Sequence, residues 1–318
     1  MMEKAPSVTV IIPNYNHSSF LKERIESVLH QSFNDFEIIL MDDCSSDNSR
    51  DILSEYENYE KVSAVLFNHT NSGSTFKQWE KGINEAKGKY IWIAESDDTA
   101  DIDFLTKAVQ ILDSDDKISL VFCKSTFINE NGDVIAIEDT QASIDKNFGD
   151  TNYVMNGNDF IIKFLRHLNV IPNASAVVFR KDMLQYGIFK DIKSMKYAGD
   201  WLFWTKLIQH NYVGYISESK NNFRFHQLST RGVKPVSSDI DRIRECFKII
   251  NIINFEYKCD LSTVKLNWLY SDWIDRVQNR DNNPHFLFYP PFKITTKYLL
   301  ILIKMTLKLF LKKVSSKV

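Results

Sequence analysis

The run Tyr90-Ile91-Trp92-Ile93-Ala94-Glu95-Ser96-Asp97-Asp98 changes character halfway along. Its first part is β-branched and aromatic, the composition of a strand in the middle of a sheet. Its second part places three carboxylates, Glu95, Asp97 and Asp98, within four residues. The carboxyl end of such a strand is where open α/β sheets bind ligands. Hard oxygen donors there suit Mg²⁺ or Mn²⁺, usually together with a phosphate. The same residues also suit a solvated acidic loop that leads into a helix.

Upstream, Val8-Thr9-Val10-Ile11-Ile12 is a short central parallel strand stopped by Pro13-Asn14-Tyr15-Asn16. Leu21, Ile25, Val28 and Leu29 follow at helical spacing. A second strand, Phe36 to Met41, ends in the turn-forming block Asp42-Asp43-Cys44-Ser45-Ser46-Asp47-Asn48-Ser49. A third strand spans Val62 to Phe67, and Phe76, Trp79, Ile83 and Ala86 then mark a helix closed by Gly88. This alternation predicts an α/β fold with a mostly parallel, Rossmann-like central sheet flanked by helices. The loops at Pro13, Asp42 and Glu95 all follow strands, so they gather at one edge of the sheet.

Downstream, a helix is expected around Phe104 to Leu112 and a strand at Ile118 to Phe127. Asn131-Gly132 signals a hairpin returning through Val134-Ile135. Residues 139–158 read as a polar surface loop and Ala174 to Arg180 as a strand. Ala198-Gly199-Asp200-Trp201 opens an aromatic-rich helix, and Tyr212 to Ile216 and Asn222 to Phe225 are two extended pieces. Arg231 to Ser238 reads as a linker or mobile loop before a helical extension. The expected division is a catalytic domain of residues 1–235 and a C-terminal helical extension of residues 236–318.

The 318 residues are 44% hydrophobic and 25% charged, with a formal net charge of -2. That balance gives no general attraction to nucleic acid. Cys44, Cys123, Cys246 and Cys259 are scattered without a C-x-x-C, which fits a reducing compartment rather than a zinc or disulfide scaffold. Met1 to Pro6 is short and polar, so no signal peptide is expected. No acid follows Asp281, whereas Lys297, Lys304, Lys308 and Lys312 share one helical face. With Leu299, Leu300, Ile303, Leu307 and Phe310 between them, residues 293–314 form a basic amphipathic tail suited to an anionic membrane surface, or to packing with a solvated lysine face. Its apolar run is far shorter than the ~20 residues of a spanning helix.

Pro13, Tyr15 and Asn16 are placed to lay backbone and an aromatic ring under a base, and Asp42 and Asp43 to accept from a base or ribose. Asp200, beside Trp201 and Trp204, is a candidate general base or a helix cap. Arg224 and His226 project to one face of an extended segment, where a cation and a metal ligand suit a pyrophosphate.

In order, V-T-V-I-I-P-N-Y-N, D-D-C-S-S-D-N-S, N-S-G, E-S-D-D, G-D-W and R-F-H resemble the motifs of family 2 glycosyltransferases with the GT-A fold, of the bacterial cell-surface polysaccharide type. The resemblance runs from Val8 to about His226. It implies that Pro13, Tyr15 and Asp43 hold the nucleotide base. It further implies that Asp97 and Asp98 bind diphosphate and metal, with Asp98 the better match to the metal ligand, and that Asp200 is the catalytic base. Arg224 and His226 match an element that helps hold metal and diphosphate. Glu95 stands where the family often has Asp. The implied activity is metal-assisted, inverting transfer from a nucleotide-diphosphate sugar, with UDP the default. The acceptor would be a hydroxyl of a glycan or lipid-linked molecule, reached from the inner face of the cell membrane by a peripheral enzyme in the cytoplasm. A dehydrogenase would need G-x-G-x-x-G where P-N-Y-N stands. A non-catalytic, nucleotide-binding, membrane-associated scaffold of the same fold is the alternative.

Overall fold

The computed structural model describes residues 5–226, 236–260, 263–266 and 268–269. The chain begins β1 (Val8–Asn14), α1 (Ser18–Leu29), β2 (Phe36–Asp42), α2 (Ser49–Glu55), β3 (Val62–Phe67), α3 (Thr75–Glu85), β4 (Tyr90–Ile93), β5 (Thr99–Ala100) and α4 (Phe104–Ser114). It continues through β6 (Ile118–Ile128), β7 (Val134–Ile137), α5 (Thr140–Ile144), β8 (Tyr153–Asn156), α6 (Gly157–Phe160), β9 (Val177–Arg180), α7 (Ile188–Ile192), α8 (Gly199–Ile208), β10 (Tyr212–Arg224) and α9 (Val236–Glu256).

The ten strands among the described residues join one sheet in the order β3-β2-β1-β4-β9-β6-β10-β5, with β7 added to β6 and β8 to β10. From β3 to β4 every pairing is parallel. β9 is antiparallel to both neighbours, and β10 is parallel to β6. Parallel strands covered on both faces need apolar side chains throughout, and β1, β2 and β4 are buried along their whole length. Val8, Val10 and Ile12 pack with Leu21, Ile25 and Val28 of α1 and with Phe104, Leu105 and Leu112 of α4. On the other face Ile11 and Met41 meet α3 at Gly82.

Contacts divide the chain into two compact units: Met1–Leu165 with Asn169–Gly232, and Arg166–Leu168 with Val233–Val318. In the second unit α9 buries Ile243, Phe247, Ile249, Ile250 and Ile253. No helix among the described residues is long and apolar enough to cross a membrane. The amphipathic stretch 293–314 and most of the expected linker lie outside the described residues, and α9 already begins at Val236.

Three expectations change. Pro13 does not end its strand, since β1 runs on to Asn14 with Pro13 opposite Met41. The ladder to β4 stops at Ile11 opposite Ile93, so the missing N–H of Pro13 leaves no gap in it. Residues 139–158 contain α5 and β8, because Phe148 and Tyr153 anchor them. The Tyr153 ring lies 5.0 Å from Tyr215 and 5.5 Å from Phe148. The two late extended pieces are one strand, β10, whose register shifts between Ile216, Ser219 and Asn221 interrupt the apolar pattern.

The entry to β4 is fixed by buried polar groups. Thr9 Oγ1 donates to Glu37 Oε1 (2.7 Å) and accepts from Gly88 N (2.8 Å), while Lys87 N donates to the same Glu37 oxygen (2.9 Å). A Cβ at Gly88 would stand 2.4 Å from Thr9 N and 2.7 Å from Val8 C, both backbone atoms of a central strand. Gly88→Ala is therefore expected to destabilise the protein by about 1–3 kcal/mol, read as a lower denaturation midpoint at unchanged m value.

Candidate active site

β1 connects outward to β2 and β3, while β4 lies on its other side, so the carboxyl ends of β1 and β4 flank the crevice at a topological switch point. Asn14 to His17 follow β1 and Glu95 to Asp98 follow β4. Asn16 has a positive φ of 57°, a left-handed conformation that Asn tolerates. Its amide oxygen accepts from Ser46 N (2.8 Å) and its N–H donates to Ser45 Oγ (2.9 Å), which ties this loop to the one after β2. Tyr15 is left 47% exposed, its ring open for stacking, and Pro13 is buried beneath it in the chain.

Asp43 N donates to Asn14 O (2.9 Å), so Asp43 adjoins this loop. Its carboxylate accepts from Asn68 Nδ2 (2.7 Å), Ser72 N (2.8 Å), Ser72 Oγ (2.7 Å) and Gln78 Nε2 (2.9 Å). Asp42 is fully buried and pairs with Arg50 at 3.0 Å.

The acidic turn is held from both sides. Asp98 is 1% exposed; its oxygens accept from Arg224 N (2.9 Å) and Asn173 Nδ2 (2.5 Å). Burial, then the neighbouring Asp97 charge, push its carboxyl up to about 7. Asp97 faces His226, whose Nε2 lies 2.9 Å from Asp97 Oδ2. Burial alone would raise Asp97, but the His226 hydrogen bond and the His17 and His226 charges outweigh it and hold Asp97 below its ordinary value. Glu95 is half-buried and accepts from Trp79 Nε1 (3.0 Å). Burial and the Asp97 charge push it up to about 8 against that hydrogen bond.

His17 Nδ1 lies 2.9 Å from Ser96 Oγ, and its ring centroid is 5.1 Å from that of His226. Burial holds its imidazole below the ordinary value, which favours the neutral form that ligates metals. The ligand atoms of His17, Asp97 and His226 all lie within 4.8 Å of one another. Asp97 rather than Asp98 adjoins the imidazoles, because Asp98 points inward to Arg224 and Asn173. Arg224 is 1% exposed and does not present its guanidinium outward. It donates to Asp97 O (2.8 Å), Asn129 O (3.2 Å), Glu130 O (3.2 Å) and the Glu23 carboxylate (2.6 Å), which makes it a clamp on the turn.

Asp200 occupies the first turn of α8 and is half-buried, with Asn169 Nδ2 donating to its Oδ2 at 3.2 Å. Gly199 lets α8 lie against Phe76, whose ring atoms would stand 2.5 Å from a Cβ there. Trp79 stacks near Phe203 (5.7 Å) and Trp204 (5.8 Å) of α8 while its N–H holds Glu95. One aromatic cluster therefore anchors both the Asp200 helix and the first acid of the turn.

Sequence reading missed His17, Asn169, Asn173 and Ser175. Ser175 Oγ accepts from Glu95 N (3.0 Å), and its carbonyl accepts from Trp92 Nε1 (2.8 Å). Asn173 and Ser175 reach the turn because β9 inserts antiparallel beside β4, which no local pattern signals. His17 had a signal: it follows β1 at the sheet edge to which the acidic turn also belongs.

The family model described as "Glycosyl transferase family 2" matches residues 9–182. TuaG of Bacillus subtilis, named as a teichuronic acid biosynthesis glycosyltransferase, is 36% identical over 107 residues, 34% of this chain and 42% of that one. An uncharacterized glycosyltransferase of Methanocaldococcus jannaschii is 30% identical over 215 residues, 65% of this chain and 66% of that one. The matches thus span less than two thirds of these relatives' own lengths. The crystal structure of Staphylococcus aureus TarS 1–349 in complex with UDP-GlcNAc superposes with a TM-score of 0.61 at 20% identity, over 92% of this chain and 77% of that one. That likeness gives the chain the GT-A fold. With its model spanning residues 9–182 of 318, the chain belongs to glycosyl transferase family 2.

Proposed function

We propose that this glycosyltransferase moves a sugar, with inversion, from a UDP-sugar to a hydroxyl of a glycan or lipid-linked acceptor in surface polysaccharide synthesis. The observation that carries this reading is the juxtaposition of His17, Asp97 and His226 at the carboxyl edge of β1 and β4. The names of two similar proteins support the substrate class: TuaG, and TarS, a poly(ribitol-phosphate) beta-N-acetylglucosaminyltransferase. An N-acetylhexosamine donor is the first to test. The sequence spacing of Lys297, Lys304, Lys308 and Lys312 supports a peripheral position on a membrane surface, near a lipid-linked acceptor.

The donor set fits a divalent cation. Ligands about 2.1 Å from one ion stand about 3.0 Å apart when adjacent and about 4.2 Å apart when opposite, so the cluster needs to contract around an ion. Two imidazoles beside one carboxylate favour Mn²⁺ over Mg²⁺, which prefers an all-oxygen shell. His17, Asp97 and His226 would hold the ion, with Asp98 and Arg224 fixing the turn that carries Asp97. A bound cation neutralises charge on the diphosphate. Tyr15, with Pro13, Asn16 and Asp43, forms the base-binding wall. Asp200 takes the proton of the acceptor hydroxyl as its oxygen attacks the anomeric carbon, and the bond from that carbon to the diphosphate breaks. Asn169 keeps the Asp200 carboxylate oriented.

The test is a screen of nucleotide sugars for Mn²⁺-dependent hydrolysis and transfer. Native protein is expected to turn over a UDP-sugar. Asp200→Asn is expected to bind UDP normally and to lose about 10²–10⁴-fold in turnover; native turnover by that variant would overturn the base assignment.

A pH dependence follows from the raised carboxyls. Glu95 and Asp98 have folded-state values of about 8 and about 7, above the unfolded ones of about 4. The folded state therefore binds more protons across that interval, and the stabilisation they lend at low pH is lost as pH rises through it. Metal-free protein should melt at lower temperature at pH 8 than at pH 6, and the upward shift caused by Mn²⁺ should be larger at pH 8, as read by differential scanning calorimetry.

A further inference from the structure

Arg24 occupies a position that helical periodicity assigns to an apolar residue. It shares the buried face of α1 with Leu21, Ile25 and Val28, and its side chain is 0% exposed. Its guanidinium carbon lies 5.1 Å from the centre of the Trp92 ring. Nε donates to the carbonyl oxygen of Glu95 (3.0 Å), whereas both terminal nitrogens have no hydrogen-bond partner among the described residues. A buried guanidinium with unused donors is costly, and an apolar side chain of similar volume is often the more stable occupant.

The charges acting favourably on Arg24 are those of Asp98, Asp97 and Glu95. Among the described residues its terminal nitrogens make no hydrogen bond to any of these carboxylates. A bidentate Arg–carboxylate pair would occupy the oxygens that a metal needs. Contact through a backbone carbonyl and an aromatic face instead sets the cation beneath the turn and leaves the oxygens of Asp97 to His226 and the crevice.

We propose that Arg24 is a positioning residue of the donor site: a fixed buried counter-charge that balances Glu95, Asp97 and Asp98 without ligating them, and so keeps the turn arranged for cation and diphosphate. This rests on the donor-site reading above. It sets function against stability at one position, since the residue that serves the acidic turn is not the one the helix face would choose for packing.

The test compares full-length native protein with Arg24→Lys, Arg24→Gln and Arg24→Met, by calorimetric titration of UDP in saturating Mn²⁺, titration of Mn²⁺ alone, and thermal melting. Lys retains the charge, Gln retains a donor for the Glu95 carbonyl without charge, and Met retains apolar volume. The expected result is that Gln and Met weaken Mn²⁺ and Mn²⁺-dependent UDP binding about 10–100-fold, melt at or above the native temperature, and are largely rescued by Lys. If Met fails to fold, Gln carries the comparison. Native-like binding by Gln or Met, or binding losses that simply follow a fall in melting temperature, would overturn the Arg24 role and leave the donor site standing. Native protein that shows no Mn²⁺-dependent UDP binding would overturn the donor site, and the Arg24 role with it.

Discussion

A fully buried strand that ends in three acids needs positive charge and hydrogen-bond donors at its end, and much of this fold supplies them. Unpaired carboxylates at that depth would be prohibitive. Here Asp98 receives a backbone N–H and an amide, Asp97 an imidazole, and Glu95 an indole N–H. The donors come from Arg224, Asn173, His226 and Trp79, residues far apart in the chain. The turn therefore acts as a hub joining β4 to β9, β10, α1 and α3, and its arrangement depends on the whole sheet being formed.

The three acids consequently differ in character. Asp98 is turned toward Arg224 N and Asn173; Asp97, held below its ordinary value, faces the imidazoles; Glu95 is tied through Trp79 to the aromatic cluster beneath α8. The same cluster supports Asp200. The acidic turn and the Asp200 helix thus rest on one packed block, so a change in Phe76 or Trp79 reaches both.

Much of this was legible in the chain. The β-α-β alternation foretold the parallel half of the sheet, and the loops expected at Pro13, Asp42 and Glu95 foretold the common edge at which β1, β2 and β4 end. Tyr15 and Asp200 were singled out by residue type and local setting, and the structure leaves Tyr15 exposed and Asp200 half-buried in the first turn of α8. The rest depended on long-range pairing. β9 runs antiparallel between β4 and β6, so the help that Asn173 and Ser175 give to Asp98 and Glu95 has no local signature. Arg224 read as an outward phosphate ligand because alternation fixes which face a side chain takes, and says nothing of the Glu23 carboxylate and carbonyls of Asn129 and Glu130 that enclose it. Arg24 was hidden for the opposite reason, as a charge on the apolar face of α1 whose Nε reaches the Glu95 carbonyl.

We propose Asp97, with the two imidazoles, as the cation-holding end of the acidic turn. Anomalous diffraction at the manganese edge from crystals grown with Mn²⁺ and UDP tests it most directly. The expected result is a peak bounded by His17, Asp97 and His226, with the diphosphate on its open side. A peak bound through the Asp98 carboxylate, or none at this sheet edge, would contradict it.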